Sequence, residues 1–443
     1  MAASPARAAA FEILLRVERE HSFAVELLHS ALLDQLSPAD KNLTTEIIMG
    51  VLRWRSALDE VIAYFSFTPF RKLDLEVLTA LRMGAYQIMF LSKIPPHAAA
   101  NETVELVKQA KKTSAAGLAN AVMRKIIAQQ KSGKSVPGKA GLAVRFAHPE
   151  WLVQRWVQQF GEDTARKICE YDQQIPSTVL RLSSAGDEAA LLRDGVELAP
   201  GALMKNARRV ISDDVTSTEL FRSGAIAIQD EGSQLVAALV GEGKRILDCC
   251  AAPGGKTAAM ATRLPDAEIF AAELHPHRAR LLRQMAPQNN VQVITADALR
   301  LPFGEEFDRV LADVPCSGTG TLARNPEIKW RLKPDDLKDL QQRQTAILIA
   351  AMQHVGPRGR LIYSTCSLEP EENEHVVEAA LKQNPDFCLL PVREELLRLQ
   401  HAGELVWKDV DQLVHENFLR TVPGVQPCDG FFAALLEKKA QHL

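Results

Sequence analysis

Four of the seven cysteines keep unusual company. Cys249 and Cys250 sit in Asp-Cys-Cys-Ala-Ala-Pro-Gly-Gly-Lys-Thr (248–257), Cys316 in Asp-Val-Pro-Cys-Ser-Gly-Thr-Gly (313–320) and Cys366 in Ser-Thr-Cys-Ser (364–367). None has C-x-x-C spacing, and the count is odd, so neither a zinc site nor a disulfide framework is indicated. Asp297 and Asp313 each follow a short apolar run, as a residue at the carboxyl end of a strand would. Two thiols and two carboxylates on neighbouring strand ends suggest covalent catalysis by a thiol. The competing reading is a pair of buried structural cysteines. Cys169, Cys388 and Cys428 read as inert.

Cys250, Ala251, Ala252, Pro253, Gly254, Gly255 and Lys256 form a turn between a strand and a helix. Glycines there let backbone N–H groups and the helix N-terminus approach a ligand closely. A phosphate-binding P-loop would need glycine at the position of Cys250, and the dinucleotide pattern G-x-G-x-x-G is absent. Glu273 ends the next apolar run, near the ~20-residue offset at which a carboxylate binds ribose hydroxyls. The turn therefore favours a nucleoside without a triphosphate. The plainer role for Glu273 is to cap the helix that follows it.

These residues need a scaffold of alternating strands and helices. Strands are predicted at Arg245–Cys249, Glu268–Ala272, Val291–Ala296, Arg309–Ala312, Arg360–Ser364 and Phe431–Leu436. Helices are predicted at Thr257–Arg263, Pro276–Met285, Pro334–His354 and Pro370–Gln383. That alternation predicts a parallel, doubly wound α/β sheet with its ligand at the carboxyl ends of the strands.

The rest of the chain differs in pattern. From Ala8 to about Gln130, apolar residues recur at helical spacing, which predicts a bundle of five to seven helices. Residues 131–139 read as a linker. Residues 145–235 mix helices with short strands at Val179–Leu182 and Ala225–Gln229. Length alone suggests about three domains, taken as 1–140 all-α, 141–235 small α+β and 236–443 α/β. The net charge of -3 is unevenly spread. Residues 1–140 hold 18 Lys and Arg against 13 Asp and Glu, and no acid occurs between Glu105 and Glu150. That window suits RNA phosphates, or is a solvated helix face and a basic linker. No apolar run is long enough for a membrane span and Met1–Glu20 reads as an amphipathic helix, so a cytoplasmic protein is expected.

The three cysteine motifs, with Asn-Pro-Glu-Ile-Lys-Trp (325–330), Pro-Glu-Glu-Asn (370–373) and Asp-Gly-Phe-Phe (429–432), resemble the Sun family of RNA 5-methylcytosine methyltransferases. Residues 81–86, Ile94-Pro95, 101–105 and 118–124 resemble the RNA-binding NusB family. A NusB-like domain joined to this catalytic core is similar to the bacterial Fmu/Sun ribosomal RNA methyltransferases. Cys249 stands where the family usually has Leu, Glu273 where it has Asp, and Asn325 where His is common. Residues 387–427 match least.

The resemblance implies a Rossmann-like class I methyltransferase domain, S-adenosylmethionine as cofactor and small-subunit (16S) ribosomal RNA as partner; no membrane, no metal and a monomeric protein are expected. Residues 250–256 would wrap the cofactor, Glu273 would hold its ribose, Asp297 would sit by adenine and Asp313 would line the crevice. Spacing does not decide which cysteine attacks the base. The resemblance assigns attack on C6 to Cys366 and product release to Cys316, with Asp313 stabilising charge at N3. A helix beginning near Pro370 would favour a thiolate at Cys366, against which Glu369, Glu371 and Glu372 work by like charge. The alternative class is an RNA-binding assembly factor with an inactive nucleotide fold. Intact Cys316, Cys366, Asp313 and glycine turn argue against it.

Overall fold

The computed structural model describes residues 3–28, 30–133, 141–212, 214–304 and 306–440. Most of the linker expected at 131–139, with Lys134 and Lys139, lies outside the described residues. The chain packs as two compact units, Met1–Ile175 with Leu322–Arg331, and Pro176–Thr321 with Leu332–Leu443.

The first unit is helical. Among the described residues, seven α-helices run from Pro5–Glu20 to Ala116–Ser132, followed by Leu142–Arg145, Glu150–Phe160 and Glu162–Asp172. The helix Leu75–Phe90 is buried almost all round, as its largely apolar composition favours. Gly84 makes that possible, because a Cβ there would lie 2.2 Å from the Thr103 hydroxyl of the neighbouring helix. The segment Leu322–Arg331 belongs to this unit. Trp330 Nε1 donates to Leu52 O at 2.6 Å, Arg331 Nη2 to Val17 O at 2.7 Å, and Ala24 N to Glu327 Oε1 at 2.9 Å.

The second unit holds two sheets. Strands β1 (Val179–Leu182), β2 (Leu198–Pro200), β3 (Ala207–Val210) and β4 (Ile226–Ile228) form an antiparallel sheet in the order β2-β3-β1-β4. The larger sheet is built from β5 (Arg245–Asp248), β6 (Glu268–Glu273), β7 (Val291–Thr295), β8 (Phe307–Asp313), β9 (Val355–Thr365), β10 (Phe387–Leu390), β11 (Val414–His415), β12 (Phe418–Thr421) and β13 (Phe431–Lys438). Its order is β11-β12-β13-β9-β8-β5-β6-β7, with β10 also on β13. Strands β5 to β9 pair in parallel, as expected. The sheet as a whole is mixed, because β13 runs antiparallel to β9 and carries antiparallel β10 and β12. The first six residues of β13 are buried, so its composition alone could not distinguish direction. A second difference concerns Pro370–Gln383. Pro370–Glu372 is one 3₁₀ turn and the α-helix starts only at Glu374, so Cys366 does not immediately precede an α-helix N-terminus. Among the described residues, no helix is long and apolar enough to cross a membrane.

Candidate active site

Register brings the functional strand ends together. Asp248 on β5 pairs with Ala271 on β6 and Leu311 on β8, and Asp313 pairs with Ser364 on β9. The turn after β5 is tied to both neighbours, since Cys249 N donates to Leu311 O and Ala251 N to Ala272 O, each at 2.9 Å. Gly254 has φ 117°, in the left-handed region, and a Cβ there would lie 2.9 Å from Leu282 Cδ1. Glycine is therefore required twice over, by conformation and by contact. The helix Gly255–Arg263 starts immediately after it.

Asp248 lies beneath this turn, 1% exposed, with its Oδ2 accepting from the Thr257 hydroxyl at 2.7 Å. Burial pushes its carboxyl up to about 7. Cys249 and Cys250 are held protonated, chiefly by burial, with Asp248 adding to the effect on both. Glu273 is buried at the end of β6. Its Oε1 accepts from His275 N at 2.8 Å and its Oε2 lies 3.7 Å from Arg278 Nη1. Asp297 is exposed beyond β7, with Oδ1 accepting from Leu299 N at 3.0 Å. Close backbone approach at a glycine turn, a buried carboxylate at the second strand end and a further acid after the third form a donor and acceptor set that fits a nucleoside with free ribose hydroxyls.

The thiols face each other. Cys316 Sγ and Cys366 Sγ lie 3.2 Å apart. The hydrogen bond to Cys366 and burial hold the Cys316 thiol well above the ordinary thiol range, and the nearby Glu372 carboxylate adds to this. Lys256 Nζ donates to Asp313 Oδ2 at 2.7 Å and the Ser364 hydroxyl donates to Asp313 Oδ1 at 2.7 Å. Burial works against the Lys256 charge, but Asp313 outweighs it, Cys366 adds to the effect, and the ammonium is held above its usual range. A cation, a paired carboxylate and two thiols thus share one strand edge.

Sequence reasoning missed the groups that hold the two cysteine loops. Glu372 and Asn373 are buried, although a run of acids reads as surface. The buried Thr319 hydroxyl accepts from Leu368 N at 2.9 Å, and Gly320 N donates to Cys366 O at 2.9 Å. The only signal in the sequence was the motif itself. Asn325–Trp330 is a different case. Counted with the catalytic motifs, it is placed by the structure in the helical unit, where Lys329 is 1% exposed and burial lowers its ammonium to about 7.

Known proteins are similar to this chain. A model of the 16S rRNA methyltransferase RsmB/F family matches residues 237–437, the NusB family matches 4–128, and the ferredoxin-like domain of RsmF/B-like methyltransferases matches 148–194. The chain is 33% identical to a probable ribosomal RNA small subunit methyltransferase B of Bacillus subtilis, over 97% of this chain and 98% of the relative. It is also 33% identical to ribosomal RNA small subunit methyltransferase B of Vibrio cholerae, over 98% and 97%. The crystal structure of PH0851 shares the fold with a TM-score of 0.81 at 23% identity, covering 99% of this chain and all of that one. A methyltransferase homologue from Pyrococcus horikoshii aligns with a TM-score of 0.55 at 30% identity, covering 67% of this chain and 97% of that one.

Proposed function

The chain belongs to the ribosomal RNA small subunit methyltransferase B family, and we propose that it methylates C5 of a cytosine in 16S ribosomal RNA, using S-adenosylmethionine and a covalent bond from a cysteine to C6. The observation that carries this reading is the pair of thiols 3.2 Å apart beside the Lys256–Asp313 ion pair.

C5 of cytosine is a poor nucleophile. Addition of a thiolate to C6 forms a C–S bond and moves the ring π electrons toward C5 and N3, so that C5 reacts as an enamine carbon. Two features support Cys366 as the attacking sulfur. Cys316 is held as a protonated thiol within hydrogen-bond distance of Cys366, and the Lys256 ammonium at the same strand edge would offset negative charge on the attacking sulfur. The Asp313–Lys256 pair offers an acceptor for the N4 amine and a donor for N3 or O2, which offsets charge accumulating on the ring. The cofactor, when bound, supplies an electrophilic methyl group for C5. Residues 250–256 would wrap it, Glu273 would accept from its ribose, and Asp297 would lie by its adenine. A base then removes the C5 proton and the C6–S bond breaks, returning the thiolate; Cys316 assists this release. The target base must be unstacked to reach such a pocket. The excess of cations in residues 1–140 supports a grip on RNA phosphates.

The test uses unmodified ribosomal RNA and labelled cofactor. Cys366→Ala loses both adduct and methyl transfer. Cys316→Ala transfers methyl but accumulates an RNase-sensitive protein–RNA complex that survives denaturing electrophoresis. The double variant behaves like Cys366→Ala, because the first step gates the second. Activity in both single variants, with a trapped complex in neither, would return the thiols to a structural role.

A further inference from the structure

Beyond helping to keep Cys316 protonated, the buried carboxylate of Glu372 is given no step in the chemistry above, yet it joins the two loops that carry the thiols. Its Oε1 accepts from Ser317 N at 2.7 Å and from Gln344 Nε2 at 2.9 Å. Its Oε2 accepts from the Ser317 hydroxyl, and from the Ser367 hydroxyl at 2.5 Å. Ser317 follows Cys316 and Ser367 follows Cys366, so one carboxylate bridges the residues next to both thiols. The two serine hydroxyls also lie 3.1 Å apart. Asn373 extends the clamp along one loop, accepting from the Thr365 hydroxyl at 2.6 Å and donating to Ser367 O at 2.9 Å. Tyr363 anchors it from β9, with its hydroxyl donating to Glu372 O at 2.6 Å.

A buried charge is costly unless it is well hydrogen-bonded. Glu372, 0% exposed, meets that condition with four donors, all from the catalytic loops or the helix Asp336–Met352 behind them. An apolar filler would pack as well but would not fix the two loops to one point. We propose that Glu372 is a positioning residue that sets the separation and relative orientation of Cys316 and Cys366. Its importance for turnover rests on the covalent reading above, whereas its effect on the thiol pair does not.

This difference allows two separate readouts on the full chain. In the first, diamide oxidises the thiol pair; two protons and two electrons pass to the diazene, the hydrazine forms and Cys316 joins Cys366 in a disulfide, followed by peptide mass mapping. Glu372→Ala should slow closure by about tenfold or more, since a disulfide tolerates little change in Cβ separation. Glu372→Gln should recover most of that rate, because an amide can still accept from Ser317 N and Gln344 and donate to the serine hydroxyls. In the second, single-turnover methyl transfer to ribosomal RNA should fall about 10²-fold in Glu372→Ala, with the RNA KM changed less than about threefold, and be largely rescued in Glu372→Gln. Should Glu372→Ala not fold, judged by its thermal melt, Ser317→Ala/Ser367→Ala removes the two hydroxyl donors and should move both readouts the same way by a smaller factor. Closure at the parent rate in the folded alanine or double-serine variant overturns the proposal; slowed closure with unchanged transfer supports the hold on the thiol pair and overturns its importance for turnover. A parent chain that closes its disulfide but transfers no methyl group would count against the covalent function and leave the clamp standing.

Discussion

Asp248 gives the sharpest quantitative expectation, because its carboxyl is buried beneath the glycine turn and pushed up to about 7. The reference value for this carboxyl is 3.8. Between these two values the folded chain holds a proton that the unfolded chain has released, so stability falls as pH rises through the window. Below both values the group contributes nothing; above both the penalty is complete, at about 4 kcal/mol from roughly three pH units at about 1.4 kcal/mol each. Asp248→Asn removes the titration and keeps an acceptor for the Thr257 hydroxyl. Whatever the amide costs is a constant offset, so the pH dependence is the quantity to compare. Between about pH 5 and pH 8 the parent should lose about 2.5 kcal/mol more than the variant. The assay is hydrogen exchange of the β5 and β8 amides, corrected for the intrinsic rate at each pH, which reads the opening of this sheet without requiring the whole chain to unfold in one step. Parallel curves for parent and variant would show that Asp248 is already ionised in the fold, and the burial reasoning would fail.

Two further expectations concern ligands. Glu273→Ala should weaken S-adenosylmethionine binding by about 1–3 kcal/mol, one charged hydrogen bond, with Glu273→Asp losing less; calorimetry showing unchanged affinity would remove Glu273 from the cofactor site. For RNA, Lys108 and Lys112 are tied to Glu105 and Asp74, while Lys111, Arg124 and Lys131 are exposed. Replacing these three by Gln should lower the slope of log affinity against log salt by up to about two for single-stranded RNA, and an unchanged slope would mean that the basic stretch is merely solvated.

Six strands of the larger sheet were legible because each carries a short apolar run, although β9 begins at Val355, ahead of the expected Arg360, and β10, β11 and β12 were not foreseen; the helix Pro276–Met285 falls where its proline start places it. The candidate site was legible for the same reason. Register follows from parallel pairing, and a residue at one strand's carboxyl end stands beside its counterpart on the next, as Asp313 stands beside Ser364. Three further features were not legible. The direction of β13 escaped because a strand buried on both faces has no alternation to read. The placement of Leu322–Arg331 escaped because its partners, Val17, Leu52 and Ala24, lie about 270 residues or more away in sequence, where local pattern carries no information. Glu372 escaped because charge in sequence reads as exposure; only the four donors that converge on it make burial tolerable.

The antiparallel strand is part of how the site is built. Gly430, just before β13, donates its N–H to Gly320 O at 2.7 Å, while Gly320 donates to Cys366 O. A Cβ on Gly320 would lie 2.3 Å from Gly430 O, so the approach requires a glycine at 320. The Asp-Gly-Phe-Phe motif therefore braces the Cys316 and Cys366 loops through backbone and not through chemistry of its own. Its Phe431 ring also lies 5.0 Å from Lys256 Nζ, a cation–π contact that adds to the hold Asp313 has on the same ammonium. A strand entering in the parallel direction would bring its carboxyl end to this edge and its amino end to the other. Only the antiparallel direction delivers Asp429–Phe432 to the thiols while continuing the sheet beyond β9. The feature that departs from a purely parallel sheet is thus the one that completes the support of the two cysteines.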